Sequence, residues 1–423
     1  MLKQKNSNIF RAFHSRNYTL FFFGQLISQI GTWMQRTGIS WIVYTMTHST
    51  FMLGVTVFAA QFPSFIFSII GGIFSDRFNR HKILLFTQSA SMVQAMLLAF
   101  LVLTHHYAIW QILTLSVVLG IINAFDTTAR QPLVNDLIDN KTELPNALAL
   151  NSSMVNLAML AGPAFSGIVL VKFGAGICFL LNGLSFVAVL ISLLIIKLPP
   201  TVKTTTPKNI KADLSEGFKY LTKTASIGMP ILMLAIVSLL ITPYNTLLPV
   251  FAKVIFHGNA ATFGYMNGFI GFGAFCGALY LASLRQGTNI KKILIINTII
   301  FGCCLALFSH MALFYPAMLF LCIGGFGLMS QTTICNTIVQ METVPAMRGR
   351  VLSYLVMAIT GMVPLGSLII GGISQKIGAP NTLLCQGILA VFIALIFSCL
   401  LKRTHGNQRV PIPDERLPEQ TYE

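Results

Sequence analysis

Acidic side chains are scarce in this chain. Its 423 residues hold 12 Asp+Glu against 28 Lys+Arg, and charged residues of both signs make up only 9%. A water-soluble domain carries about a quarter charged residues, so 55% hydrophobic content and a mean hydropathy of +0.75 exclude that class. The eight cysteines (Cys178, Cys276, Cys303, Cys304, Cys322, Cys335, Cys385, Cys399) all fall inside apolar segments without metal-ligand spacing. Packing is their reading, and neither a metal site nor a cofactor is expected. No nucleophile triad, paired catalytic carboxylates or phosphate-cradling loop stands in any loop, and the loops are too short for a soluble catalytic domain. An enzyme is therefore not expected. A cleavable signal peptide is not expected either, because the first apolar segment is too long and follows a polar arm with Lys3, Lys5, Arg11 and Arg16.

What is present is apolar sequence in membrane-length blocks. Twelve segments of roughly 18 to 25 residues can each cross about 30 Å of hydrocarbon as a helix. They divide the chain into an arm (1–17), a six-helix half (18–196), a polar linker (197–228), a second six-helix half (229–401) and a tail (402–423). Within the linker, residues 212–222 are predicted to form a short amphipathic helix on the membrane surface. The fold class is an all-α membrane protein of two six-helix bundles.

The formal charge of +16 raises the question of nucleic acid. With the N-terminus inside, 24 of the 28 basic residues fall on the cytoplasmic side, Lys172, Lys253 and Lys376 fall outside, and Arg36 lies within the first segment. This is positive-inside orientation and not a nucleic-acid surface, and an even number of spans leaves both termini in the cytoplasm. Five histidines (His48, His105, His106, His257, His310) fall on outer loops and read as surface residues.

The halves repeat. An offset of 210 residues puts Gly54 on Gly264 and 81–84 on 291–294; an offset of 204 puts Gly162, Gly167, Lys172 and Gly174 on Gly366, Gly371, Lys376 and Gly378. Such matches are the trace of an internal duplication with a pseudo-twofold axis. The repeat is uneven: Asp76 and Arg77 fall opposite Gln286 and Gly287, which predicts that charge-based locking operates mainly in the first half.

Polar residues inside apolar segments mark candidate sites, since lipid cannot satisfy them. Gln25, Gln29, Thr32 and Arg36, spaced 4, 3 and 4 apart, share one helical face. Gly24, Gly31 and Gly38, seven apart, mark a second seam for close helix approach. In the fourth segment Asp126 and Arg130 stand one turn apart, and Asp126 is the only carboxylate placed inside a membrane segment. In the fifth, Ala158, Gly162, Pro163, Ser166 and Gly167 form a small-residue seam with a bend.

A charged knot between the second and third segments carries the clearest motif. Gly72, Asp76, Arg77, Arg80 and Lys82 match the GxxxDRxGR signature of the major facilitator superfamily, with Asn79 where that family has Gly; Asn next most readily takes a left-handed turn. Residues 24–28 with 33–35, 123–126 with 130–131, 145–152, and 348–351 resemble the bacterial enterobactin-exporter and macrolide-efflux branch. The resemblance implies a major facilitator fold and alternating access in the bacterial inner membrane, with the fifth segment resembling an antiporter motif. It implies a cavity lined by the first, fourth, seventh and tenth segments, the latter two offering Thr242, Tyr244 and Asn245, and Gln331, Thr332 and Asn336. Asp76 is expected to sit against the start of the eleventh helix near Arg348 and Arg350 and to hold the outward-open state, while Arg77 and Arg80 complete a cluster with Asp126. Asp126 and Asp76 are the candidates for proton coupling. An external face and a cavity that contain no carboxylate, but offer Arg36 and three outer lysines, are expected to disfavour cations, so a siderophore-like or other weakly acidic or neutral metabolite is expected, exported by a monomer with H+ as coupling ion. Macrolide efflux, lysophospholipid transport on the same fold and a non-transporting scaffold or sensor are the alternatives.

Overall fold

The computed structural model describes residues 10–196, 210–284, 287–345 and 347–407. Gln286, most of the polar linker and the end of the tail lie outside the described residues. The first four spanning helices are α1 Arg16–Thr47, α2 Thr50–Arg77, α3 Arg80–Leu103 and α4 Ile109–Leu137. The 52-residue helix Leu144–Ile195 turns at Gly174, whose φ of 80° is a left-handed conformation that glycine adopts without a Cβ penalty. Its arms, 144–173 and 175–195, are α5 and α6. A linker helix, Ile210–Lys223, precedes α7 Ala225–Ile255, α8 Ala260–Ala282, α9 Ile290–Ser309, α10 Phe314–Glu342, α11 Arg348–Ile377 and α12 Ala379–Leu400. Ten stretches among the described residues are long and apolar enough to cross a membrane. The Gly174 turn divides one of them in two, and α1 adds a twelfth despite the polar stripe that dilutes it. The chain has the major facilitator fold.

Large apolar side chains point outward, as the lipid phase requires: Phe86 and Leu194 are more than 70% exposed. Small residues line the helix contacts instead. Gly24, Gly31 and Gly38 lie against Ser192, Asn182 and Phe179, so the heptad glycine seam of α1 receives α6.

Asn79 does not take the left-handed turn expected of it. At φ −70° its side chain accepts from the amides of His81 and Lys82 and caps α3. Ion pairs also tie helices together inside each half. Arg80 pairs with Asp136 at 3.2 Å across the start of α3 and the end of α4, and Lys291 pairs with Glu342 at 2.8 Å across the matching ends of α9 and α10. Each half therefore has its own ion pair at the end of the molecule that bears the α2–α3 turn, here called the turn end.

The bundles touch closely at the opposite, far end. Gly54 of α2 abuts the Ser367 carbonyl of α11, Gly371 abuts Thr50, and Thr50 Oγ1 donates to the Gly371 carbonyl at 3.0 Å. Across the other interface Gly167 of α5 and Gly264 of α8 pack backbone to backbone. The repeat exchanges these two seams: Gly54 corresponds to Gly264, and Gly167 to Gly371. Along the α2–α11 seam the ring of Phe65 still reaches Gly361, but a Cβ at Gly72 or Gly349, nearer the turn end, would meet open space. The structure is closed at the far end and parted at the turn end.

The linker helix docks on α11. Glu216 pairs with Arg350, Tyr354 donates to the Leu214 carbonyl at 2.9 Å, and the Phe218 and Tyr354 rings lie 6.3 Å apart.

Candidate functional site: a polar cavity in the first bundle

The α1 stripe fixes where polar space opens. Gln25, Gln29, Thr32 and Arg36 border one cavity of about 250 Å³, together with Gln61 and Ser64 of α2, Gln88 and Ser91 of α3, Asn123, Asp126, Thr127 and Arg130 of α4, and Asn182 of α6. Thr360 of α11 is the one residue that the second bundle contributes to its lining.

Asp126 is buried and fully engaged. Its Oδ1 accepts from Gln88 Nε2 at 2.7 Å and from Thr87 Oγ1 at 3.1 Å, and its Oδ2 faces Arg130 at 3.4 Å. Every one of these partners donates, so both carboxylate oxygens act as acceptors. Arg130 also donates to Gln25 Oε1 at 3.3 Å, which leaves Gln25 Nε2 buried without a partner. Arg36 differs from Arg130. Its side chain is exposed to the cavity, its guanidinium lies 5.0 Å from the centre of the Trp33 ring, and among the described residues it has no ion pair.

The expected cluster of Arg77 and Arg80 with Asp126 is not formed. Arg80 is taken by Asp136, Arg77 and Lys82 are exposed, and Asp126 pairs within its own helix through the i,i+4 spacing. Asp76 is exposed and makes no hydrogen bond or ion pair among the described residues. Arg350 is held by the linker helix, and the Nε of Arg348 is buried without a partner.

The residues expected from the second bundle are not brought to this cavity. Tyr244 is buried edge-on against Phe301 at 5.5 Å, and Gln331 donates to Thr298 Oγ1 at 2.8 Å. Asn336 accepts from Gln340 of its own helix, Thr242 bonds back to the Val237 carbonyl, and Asn245 and Thr332 lie outside the lining. In α5, Gly162 lies against Trp33 and Ser166 donates to the Met34 carbonyl at 3.2 Å, while Gly167 faces α8; Ala158 and Pro163 are buried. This seam thus braces α1 on one side and the second bundle on the other.

Thr87, Gln88, Gln61, Asn123 and Asn182 were not expected at the site. The signal for α3 was there: Gln88, Ser91 and Gln94 stand three residues apart, close enough to the helical period to share one face, and all are buried. The duplication explains why the site is one-sided. The 29-residue helices α4 and α10 align end to end, which sets Asp126-Thr127-Thr128 against Gln331-Thr332-Thr333 and Arg130 against Cys335. His48 and His257, at positive φ beyond α1 and in the matching place after α7, set Arg36 against Asn245. Each of these three charged positions in the first half has a neutral counterpart in the second.

Comparison with known proteins agrees with this architecture. A staphyloferrin A transporter of Staphylococcus aureus is 28% identical over 393 residues, covering 89% of this chain and 94% of its own length. An enterobactin exporter of Citrobacter koseri is 23% identical over 400 residues, covering 93% and 94%. Among solved structures, a POT family transporter bound to a thioalcohol-conjugated peptide superposes with a TM-score of 0.72 at 14% identity, covering 92% of this chain and 96% of that one. An inward-facing bacterial homologue of the human lysosomal transporter Spinster gives 0.68 at 14% identity, covering 92% and 97%. The profile of the transmembrane secretion effector family matches residues 8–423. On that match the chain belongs to the transmembrane secretion effector family, and it is a multi-pass membrane transporter of the major facilitator superfamily.

Proposed function

We propose that this protein exports a small organic acid of the siderophore type across the bacterial inner membrane, as a monomer, by alternating access and with protons as the coupling ion. One observation carries the reading: the polar cavity of the first bundle exposes a cation, Arg36, that has no ion pair among the described residues, while the one acid in its lining, Asp126, against the expectation of a cavity without carboxylates, is held by Arg130. Such a lining disfavours cations and accepts anionic or neutral cargo. Lysine and arginine crowd the turn end, which supports placing that end and both termini in the cytoplasm. On that assignment the conformation is inward-open, ready to load from the cell interior. That the relatives are a staphyloferrin A transporter and an enterobactin exporter supports an iron-chelating metabolite as cargo.

In the opposite state the turn end closes. Asp76 then meets the start of α11 near Arg348 and Arg350, where helix-end amides and arginines favour a carboxylate. Its lack of a partner in the inward-open form fits a group that acts only when that gate is shut. Asp126, the one acid lining the cavity, is the group through which a proton couples.

Everted inner-membrane vesicles test this reading. Uptake of a catecholate or carboxylate siderophore that collapses on addition of a protonophore supports it. Accumulation of macrolides alone, or of lysophospholipids alone, replaces the cargo class. Binding without flux of any compound would point to a sensor.

A further inference from the structure

We propose that Gln375 is a latch between the bundles: from α11 its side chain caps the start of α2, holds the far end shut while cargo loads, and lets go when that end opens. The inference deepens the alternating access proposed above and rests on it.

A helix begins with amides that no turn of its own can accept. At the start of α2 these are Thr50, Phe51 and Met52, because the Leu53 amide already donates to the Ser49 carbonyl at 3.3 Å. Met52 donates to Ser49 Oγ at 3.3 Å, and Ser49 Oγ donates in turn to Gln375 Oε1 at 3.0 Å. The Thr50 and Phe51 amides donate to the same oxygen at 3.0 and 3.5 Å, and Thr50 Oγ1 stands 3.2 Å from it. All three amides thus end, directly or through Ser49, on one atom of the other bundle. Backbone amides only donate, so the atom that faces them is the side-chain oxygen of Gln375 and not its nitrogen.

The seam related by the repeat is built differently. The offset of 210 sets Ser49 against Asn259, and the offset of 204 sets Gln375 against Val171, whose side chain accepts nothing. Asn259 Oδ1 accepts from the Ala261 and Thr262 amides at 2.9 and 3.4 Å, so α8 is capped by its own chain. Helix α8 keeps that cap wherever α5 goes. Helix α2 keeps its cap only while α11 lies beside it. The far-end seal therefore has two seams of packed glycine but a hydrogen-bonded latch on one of them. Gln375 is exposed at the rim, so water takes its place at the amides once the seam parts, and the latch contributes about as much as one helix cap.

The rate at which an impermeant reagent reaches the cavity through the far end follows the population of the far-open state, however small that population is. Ser64→Cys places a thiol in the cavity lining of a chain whose exposed Cys303, Cys385 and Cys399 are replaced by Ser. A sulfonated maleimide is then added outside right-side-out membrane vesicles. Gln375→Leu should raise the reaction rate about 2- to 30-fold, the range for a lost N-cap. Gln375→Glu keeps the acceptor and adds negative charge at the positive end of α2, so it should lower the rate about 2- to 5-fold. Asn259→Ala removes a cap of the same kind within one bundle and should leave the rate at the wild-type value. A rate unchanged by Gln375→Leu, or raised equally by Asn259→Ala, overturns the latch. Gly264→Ala separates the latch from the reading beneath it: if that variant reacts faster and Gln375→Leu does not, alternating access stands and the latch falls. If the thiol reacts from the far end in none of these chains, both fall. Should Gln375→Leu not reach the membrane, Gln375→Glu decides, with a slower reaction supporting the latch and an unchanged or faster one overturning it.

Discussion

Replacing Gly264 with Ala puts a Cβ 2.7 Å from the Cα of Gly167 and 3.0 Å from the Pro163 carbonyl oxygen. Both are backbone atoms of α5, so no side-chain rotation relieves the contact, and overpacking of this kind costs about 1–3 kcal/mol. That cost falls only on the state in which the far end is closed, because the two helices separate when it opens. The equilibrium should therefore move toward the far-open state by about 5- to 150-fold. Repeat-related lysines provide probes, one in each bundle: Lys172 and Lys376 at the far end, Lys82 and Lys292 at the turn end, all exposed. Spin labels on cysteines at each pair, with the exposed Cys303, Cys385 and Cys399 replaced by Ser, report the two gaps by pulsed dipolar spectroscopy. In Gly264→Ala the 172–376 distance distribution should gain a longer component and the 82–292 distribution a shorter one. Gly371→Ala, which puts a Cβ 2.7 Å from the Thr50 carbonyl oxygen in the symmetric seam, should act in the same direction. Distributions unchanged in both variants would refute the assignment of these glycines to the far-end seal.

Other consequences can be checked separately. Asp76→Asn, at a side chain without a partner in the inward-open form, should leave thermal stability within about 0.5 kcal/mol, yet lengthen the mean 82–292 distance by weakening the closed turn-end gate. Glu216→Ala breaks a surface pair worth about 0–1 kcal/mol, so the melting temperature should barely move while amide exchange in residues 210–223 accelerates by mass spectrometry. Gln331→Leu loses one hydrogen bond to Thr298 but also removes a buried carbonyl oxygen without a partner; the two offset to within about 1 kcal/mol, and vesicle uptake should persist because Gln331 lies outside the cavity.

Much of this was legible before any coordinates, and the reason is periodicity. Lipid forces polar side chains in a spanning helix to one side, so the spacing of Gln25, Gln29, Thr32 and Arg36 announced a lined cavity, and that cavity exists. Asp126 stood out because it was the one acid inside an apolar run. The repeated glycines announced close contacts, and the structure brings Gly54 to α11 and Gly167 to Gly264. Partner choice was harder to see. Whether Arg80 turns to Asp126 or Asp136 depends on helix rotation, which one-dimensional spacing does not encode. Lys291 and Glu342 lie 51 residues apart, so their pairing was invisible. Tyr244 and Gln331 came from fold analogy and carried no polar stripe of their own; they pack against Phe301 and Thr298 instead. Gln88 was overlooked because a single neutral amide attracts no notice until the carboxylate it holds is seen.

The central claim is that cargo passes through a site whose charge chemistry belongs to the first bundle alone. Siderophore uptake into everted vesicles, compared between Arg36→Gln and its repeat counterpart Asn245→Ala, tests that claim most directly. The account predicts that Arg36→Gln loses about tenfold or more in transport at limiting cargo, while Asn245→Ala keeps close to the wild-type rate at equal membrane abundance. Equal loss in both variants, or full activity in Arg36→Gln, would contradict it.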